Sequence, residues 1–168
     1  MILTTIKGVK RVSVNYFMIY KVDFLIFSVI LGLSFLLNQV LKEYVFKPIM
    51  NKNEFPILGK GTRPKGAQDC DFINLDNRIS YGMPSGHSQI SALFGTFMIL
   101  MIINGRYSDK LKIIKCLFIF VLTMTIMISR IHFKCHTFQQ VAVGGIIGIV
   151  IGFATFFNMR NIKTYLHL

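Results

Sequence analysis

Four long apolar segments alternate with short polar segments along the chain. They run from about Asp23 to Leu41, Ser88 to Asn104, Ile113 to Ile128 and Gln140 to Asn158. Each is close to the ~17 to 25 residues that a helix needs to cross roughly 30 Å of hydrocarbon. The pattern therefore predicts an all-α fold, a polytopic membrane bundle of about four transmembrane helices.

Two polar strings lie at the edges of these segments. They are Y-G-M-P-S-G-H-S from Tyr81 to Ser88 and S-R-I-H-F-K-C-H from Ser129 to His136. The second and third apolar segments are joined only by the polar turn from Gly105 to Lys110, so the chain crosses the membrane and returns at once. We therefore expect His87 and Arg130 to lie at the same membrane surface.

The residues at this edge suit a phosphate ester. Arg130 can bind an oxyanion through two hydrogen bonds, and His87 and His136 titrate in the range useful for nucleophilic and acid–base chemistry. The P-S-G-H string offers a hydroxyl and backbone N–H groups at the start of a helix, where anions are favoured. Arg63 adds a second guanidinium. At average composition, P-S-G-H arises by chance in about one in a thousand chains of this length.

These motifs resemble those of the type 2 phosphatidic acid phosphatase (PAP2) family of integral membrane lipid phosphatases, which has a haloperoxidase-like core. The family pattern is a Lys followed by R-P, then P-S-G-H, then S-R, five residues, His, three residues and Asp. Lys42 is the counterpart of the family Lys, although an insertion of roughly Ile49 to Thr62 separates it from Arg63. Gln140 stands where the family has Asp.

The segment H-T-F-Q-Q-V-A-V-G-G-I-I-G, from His136 to Gly148, is similar to the dolichyl diphosphatase branch of this family. Ser88-Gln89 agrees with the second motif of that branch. The resemblance covers about Asn38 to Phe153.

The resemblance implies that His136 is the nucleophile and that His87 protonates the leaving oxygen. It implies a phosphate-binding set without a metal or other cofactor, made of Lys42, Arg63, Ser85, Gly86 and Arg130. If a helix has begun by His136, the i,i+4 spacing places Gln140 on the same face, where its amide oxygen could orient the imidazole.

The expected substrate is a polyprenyl diphosphate such as dolichyl diphosphate, hydrolysed to the monophosphate through a phosphohistidine. Phosphatidic acid or another lipid phosphate is the alternative within the enzyme class. A catalytically inactive membrane scaffold that retains the motifs is the alternative outside it.

Several candidate residues also have a structural interpretation. His132 matches no family position, so a structural or interfacial role is favoured. Lys42 and Lys47 are each compatible with ligand binding or with anchoring at the membrane surface. Tyr81 and Phe138 fit an aromatic belt as well as a lipid entrance. The remaining set is a stripe of small residues that favours close helix packing, made of Gly144, Gly145, Gly148 and Gly152.

Composition and charge place the protein in a membrane. The 168 residues are 53% hydrophobic with a mean hydropathy of +0.56, which predicts a single membrane domain at 23–158 between a cytosolic or interfacial segment at 1–22 and a short tail at 159–168. The net charge of +12 favours contact with anionic membrane lipids, and no motif for nucleic acid accompanies it.

The distribution of basic residues predicts the orientation. Ten Lys and Arg residues lie on the face away from the motifs, against nine on the motif face, three of which are predicted phosphate ligands. The positive-inside rule then places both termini in the cytosol and the site in the lumen or outside. The expected location is the endoplasmic reticulum or a host-derived internal membrane.

The cysteines and the long loop leave alternatives open. Cys70 and Cys135 both fall on the motif face, where an oxidising lumen would allow a bridge, but unpaired thiols fit the sequence equally well. Cys116 should lie within a helix. No cysteine or histidine spacing indicates a metal site. The segment from Pro48 to Ser80 is predicted to be a long irregular loop, either functional or disordered.

Overall fold

A computed structural model describes residues 24–50, 54–67, 70 and 81–165. Within these ranges, four helices are long and apolar enough to cross a membrane, which confirms the predicted all-α membrane bundle. They are α1 (Phe24–Met50), α2 (Gly86–Asn104), α3 (Asp109–His132) and α4 (Phe138–Tyr165). The predicted segment 1–22 lies outside the described residues.

The helices are longer than the apolar segments that predicted them. Helix α4 continues to Tyr165, so it extends into the predicted tail at 159–168. Helix α1 continues to Met50 and includes Pro48, which the sequence had assigned to a loop. Polar residues can extend a helix beyond the hydrocarbon, because the backbone hydrogen bonds do not depend on hydropathy.

Helix α1 has a local irregularity at its motif end. Residues Leu41–Phe46 form a π-helical segment, and the chain returns to α-helix at Lys47–Met50. Pro48 lies two residues after this segment and has no N–H to donate to the preceding turn, which is a common reason for such irregularities. Lys42 lies within the π-helical segment.

The predicted irregular loop contains a small antiparallel hairpin. Strand β1 (Glu54–Phe55) pairs with β2 (Gly59–Lys60), with Glu54 opposite Lys60. A salt bridge of 3.2 Å joins the side chains of that pair. The hairpin leads directly into the segment that carries Arg63.

The glycine stripe brings α4 against α2, as predicted. Gly144, Gly148 and Gly152 face α2, and Gly145 faces Met127 of α3. A Cβ atom added to the first three would meet atoms of Ser85, Gln89 and Thr96, respectively. The absence of side chains therefore lets the two helix backbones approach closely.

The interior of the bundle is divided by polarity. At the end away from the motifs, an apolar cluster is formed by Phe27, Leu93, Phe97, Phe156 and Met159. Phe27 and Phe97 stack there with ring centroids 4.2 Å apart. Most of the buried polar and charged side chains lie toward the motif end, beside a few buried apolar ones such as Met50, Met83 and Val141. Helix α3 buries none of its residues, so it lies at the periphery and the site is built mainly by the other elements.

Candidate active site

The motif strings meet at one end of the bundle. Helix α2 begins at Gly86 and α3 ends at His132, and the two are joined at their far ends by the short turn 105–108. The start of α4 follows α3 after five residues. His87, Arg130 and His136 therefore share one membrane surface, as the sequence predicts.

His136 is buried at this end, with 3% of its surface exposed. It lies in the tight turn between α3 and α4, where Lys134 has a positive φ of 55°. The backbone N–H groups of Cys135 and His136 both donate to the carbonyl oxygen of Arg130, at 3.0 and 3.1 Å. The main chain of Arg130 thus holds the turn that presents the imidazole.

The hydrogen bonds of His136 define its tautomer. Arg63 Nη1 lies 3.4 Å from His136 Nε2, and Gln140 Oε1 lies 3.1 Å from Nδ1. A guanidinium can only donate, so Nε2 is the accepting nitrogen and carries a lone pair. The proton is then on Nδ1 and is donated to Gln140. This arrangement leaves the lone pair of Nε2 beside a permanent positive charge.

The side-chain amide of Gln140 is itself held in place. Its Nε2 donates to the carbonyl oxygens of Lys60 at 2.9 Å and Thr62 at 2.8 Å, so Oε1 must be the atom that faces His136. Gln140 is also fully buried. The end of β2 and the residues just after it therefore determine, through the amide of Gln140, which nitrogen of the imidazole is protonated.

The contact between His136 and Gln140 does not come from i,i+4 spacing within a helix. Helix α4 begins only at Phe138, so His136 precedes the helix and the i,i+4 argument does not apply. Instead, Thr137 and Gln140 form a capping box. Gln140 N donates to Thr137 Oγ1 at 3.4 Å, and Thr137 N donates to Gln140 Oε1 at 3.3 Å.

The pKa of His136 is lowered to about 4. Burial is the main cause, because it penalises the charged form, and the positive charges of Arg63 and then Lys42 act in the same direction. Hydrogen bonds with Gln140 and with the backbone of Gly82 oppose the shift. The imidazole is therefore neutral at pH 7.

Lys42 and Lys47 differ clearly in their burial. Lys42 is only 5% exposed and lies in the π-helical segment, close enough for its charge to act on His136. Lys47 is exposed and forms a salt bridge with Glu43 one turn away. The burial of Lys42 favours a role in the site, whereas Lys47 is a surface residue.

Arg63 and the cysteine pair hold the same turn. Arg63 Nη1 donates to the carbonyl oxygen of Cys135 at 3.2 Å, in addition to its contact with His136. Cys135 forms a disulfide with Cys70, with Cα atoms 5.6 Å apart, while Cys116 is a free thiol. The alternative that the sequence left open is thereby decided in favour of the bridge.

The P-S-G-H string forms the start of α2. Ser85 is the N-cap, and its Oγ accepts hydrogen bonds from Ser88 N at 3.4 Å and Ser88 Oγ at 2.9 Å. Its own N–H donates to the carbonyl oxygen of Gln140 at 3.0 Å. Gly86 and His87 occupy the first turn and are half-buried. Ser85 thus joins the starts of α2 and α4.

Other predicted residues have contacts of a different kind. Arg130 Nε donates to Ser129 Oγ at 3.3 Å, and its guanidinium carbon lies 6.0 Å from the ring of Phe133. His132 is exposed and meets the edge of the same ring. The hydroxyl of Tyr81 donates to the carbonyl oxygen of Phe46 at 3.3 Å. These contacts connect Tyr81 to α1, and those of Arg130 are with residues at the end of its own helix, α3.

Sequence reasoning missed three residues that support the site. Thr137 could have been found from the T-x-x-Q pattern of a capping box. Gly82 packs against the amide of Gln140, where an added Cβ would lie 2.6 Å from Oε1. Asn38 is buried on α1 one turn before Lys42, and a polar residue inside a membrane helix is itself a signal.

The fold and site together define a multi-pass membrane protein. Its candidate site at one membrane surface contains a buried, neutral histidine beside cationic side chains. The chain belongs to the PAP2 superfamily, whose model matches residues 23–163. It is 33% identical over 147 residues to "Dolichyldiphosphatase 1" of Dictyostelium discoideum. The matched region covers 84% of this chain and 56% of the relative.

Two further relatives bear related names. "Dolichyldiphosphatase" of Saccharomyces cerevisiae is 33% identical over 97 residues, covering 56% of this chain and 40% of the relative. "Dolichyldiphosphatase 1" of Homo sapiens is 31% identical over 92 residues, covering 50% of this chain and 39% of the relative. The chain thus spans about half the length of these relatives or less. No solved structure matches the chain at a significant level.

Proposed function

We propose that the protein hydrolyses a phosphate ester carried by a membrane lipid, and that its substrate is a polyprenyl diphosphate of the dolichyl diphosphate type. The observation that carries the proposal is the state of His136, a buried, neutral imidazole whose Nε2 lone pair lies 3.4 Å from Arg63. The similarity to dolichyldiphosphatases supports the choice of lipid.

In the proposed reaction, His136 Nε2 attacks the terminal phosphorus and the bond to the bridging oxygen breaks. His87 donates a proton to that oxygen, which leaves as the lipid monophosphate. Water then attacks the phosphohistidine, with His87 accepting a proton from it, and inorganic phosphate is released. Covalent catalysis of this kind divides one difficult displacement into two easier ones.

The cationic residues stabilise the transferring phosphoryl group. Lys42 and Arg63 approach His136 from α1 and from the segment after β2. Ser85 and the Gly86 amide lie at the start of α2, which a hydrogen bond joins to Gln140 at the start of α4. Arg130, at the end of α3 on the same membrane surface, supplies a further guanidinium in this proposal. The catalytic effect expected of such groups is electrostatic, because charge is spread over the equatorial oxygens in the transition state.

Gln140 favours a diphosphate over a monophosphate ester. Its neutral amide orients His136 but lacks the charge of a carboxylate, which would raise the basicity of the imidazole and stabilise the cationic phosphohistidine. A less basic nucleophile depends more on a good leaving group. The lipid phosphate expelled from a diphosphate leaves more readily than the alkoxide expelled from a monophosphate.

The site faces the lumen or the exterior in this proposal, within the endoplasmic reticulum or another internal membrane. Two features support it. The disulfide between Cys70 and Cys135 lies on the motif face, and such bridges persist in oxidising compartments. The larger number of basic residues near the opposite face supports the same orientation.

The test is phosphate release by the purified protein in detergent, with dolichyl diphosphate and phosphatidate compared directly. His136→Ala should lower kcat by about 10³-fold or more, since it removes the proposed nucleophile. It should also abolish the phosphohistidine intermediate, detected as label transferred from the substrate phosphate to the protein. His132→Ala is the matched control and should retain most activity, because His132 is exposed outside the site.

Each other outcome has a distinct meaning. Full activity in His136→Ala would refute the nucleophile assignment. Faster turnover of phosphatidate would replace the proposed substrate by the diacyl alternative. A wild-type protein without activity on either lipid would support an inactive scaffold.

A further inference from the structure

A second group of buried polar side chains links α1 to α2 just beyond the site. Asn38 and Gln89 are 1% and 0% exposed. Asn38 Nδ2 donates to Gln89 Oε1 at 2.9 Å, and Gln89 Nε2 donates to the Ser34 carbonyl oxygen at 2.9 Å and to Ser34 Oγ at 3.0 Å. This polar ladder crosses between two membrane-spanning helices.

The ladder lies next to residues of the site on both helices. Asn38 precedes Lys42 by one turn of α1, and Gln89 follows Ser85 by one turn of α2. Asn38 Nδ2 also approaches the carbonyl oxygen of Pro84 at 3.4 Å, at the start of the P-S-G-H string. A rotation or slide of α1 along α2 would break the ladder and displace Lys42 at the same time.

Stability alone does not explain the ladder. Asn38 Oδ1 is buried without a hydrogen-bond partner, and it would lie 3.0 Å from a Cβ added to Gly86. An unpaired acceptor in an apolar environment is unfavourable, and two apolar side chains of the same shape would avoid that cost. Buried polar pairs are best known for selecting one register of two packed helices.

We infer that Asn38 and Gln89 are positioning residues that set the register of α1 against α2, and so hold Lys42 in place opposite the start of α2. Neither residue touches the reacting atoms, so both act through Lys42. The inference rests on the proposed phosphatase function. It adds a specific cause for the position of Lys42 on α1.

The test is the double replacement Asn38→Leu with Gln89→Met in the full chain. These side chains keep the size and shape and remove both amides together, so neither Asn38 nor Gln89 leaves the other unpaired, and only Ser34 loses the donor that Gln89 supplied. We expect the thermal midpoint in detergent to equal or exceed that of the wild type. We expect kcat/KM for dolichyl diphosphate to fall by about 10- to 100-fold, since small displacements of a positioned group have effects of this size.

A second measurement separates positioning from general damage. In a Lys42→Met background, the double replacement should lower kcat/KM by less than about threefold, because its target has already been removed. Ser34→Ala is the control and should keep near wild-type kcat/KM, because Gln89 retains the Ser34 carbonyl. Wild-type activity in the double variant, or an equal loss with and without Lys42, would overturn the inference.

A structural readout remains valid even if the proposed function is wrong. Spin labels at the exposed positions Tyr44 and Ile103, in a Cys116→Ser protein, report the distance between α1 and α2. The wild-type ladder should give one narrow distance distribution, and the double variant should shift or broaden it. An unchanged distribution would refute the role in register regardless of any activity.

Discussion

Gln140 illustrates how one side chain can determine the chemistry of another. Its amide donates to the carbonyl oxygens of Lys60 in β2 and of Thr62 just after it, and accepts from His136 Nδ1, which leaves the lone pair on Nε2. An aspartate would be shorter and could not donate to those carbonyls. The segment around Lys60 and Thr62 is therefore matched to a glutamine at this position.

Gln140→Glu tests this relationship because it keeps the length and the accepting oxygen. The added charge should raise the pKa of His136, move the acid limb of the kcat/KM profile to higher pH, and shift preference toward lipid monophosphates. The free energy of unfolding should fall, because a carboxylate cannot donate to the two carbonyl oxygens. Steady-state kinetics on both lipids across pH measures the first three effects.

Two further variants are compared with Gln140→Glu. Gln140→Ala frees the imidazole and should lose activity on both lipids, whereas Gln139→Glu adds the same charge at a neighbouring position and should leave the acid limb in place. Wild-type activity of Gln140→Ala on dolichyl diphosphate would contradict the orienting role.

The lowered pKa of His136 also predicts how stability depends on pH. The unfolded chain has the ordinary histidine pKa of about 6.5, and the folded protein has a value of about 4. Between these values the unfolded state binds more protons, so stability is fully present above about pH 6.5 and falls as the pH decreases toward 4, by up to roughly 3 kcal/mol. Thermal midpoints in detergent across this range should show the decline, and His136→Gln should flatten it. An equally steep decline in His136→Gln would assign it to other groups.

At the scale of elements, the contact between α2 and α4 aligns the two starts that form the site. The hydrogen bond from Ser85 N to the Gln140 carbonyl oxygen joins these starts directly. The glycine stripe of α4 makes that approach possible, because side chains there would overlap the backbone of α2. Packing in the membrane thus determines the geometry at its surface.

Gly148→Ala should separate α2 from α4, since the new Cβ would overlap the carbonyl oxygen of Gln89. Overpacking of this kind typically costs about 1 to 3 kcal/mol. We expect a lower thermal midpoint together with reduced kcat/KM. Gly32→Ala is the matched control, because nothing lies within 4 Å of its added Cβ. Equal behaviour of the two variants would mean that the close approach is dispensable.

At the scale of the whole molecule, the site is placed at one surface by three features together. The buried polar side chains gather at the motif end, the disulfide ties the segment around Cys70 to the turn before His136, and the apolar cluster fills the opposite half. The periphery of α3 presents apolar side chains outward, as expected toward lipid. These features together make a polar site at one end of an otherwise apolar bundle.

The orientation of the molecule can be measured with glycosylation acceptors. One inserted in the exposed turn at Lys65-Gly66 should be modified in microsomes, and one added at the C terminus should not. The disulfide should then form in the same preparation, with Cys116 remaining free. Modification only at the C terminus would reverse the proposed orientation and leave the chemistry of the site unchanged.

The amino-acid sequence by itself determined the number of membrane helices and most of the candidate site. Hydropathy over about twenty residues is enough to identify a membrane segment, and short motifs such as P-S-G-H need no tertiary information to be recognised. The pairing of the two strings at one surface also followed, because the turn between α2 and α3 is short.

Only the tertiary structure decided the tautomer of His136, the burial of Lys42 and the pairing of Cys70 with Cys135. Each depends on residues far apart in the chain, such as Lys60 with Gln140 and Arg63 with His136. Local patterns do not contain such contacts, because they arise when hydrogen-bond donors and acceptors in a packed interior must find partners. The register of α1 against α2 is of the same kind, since Asn38 and Gln89 meet only when the helices have packed.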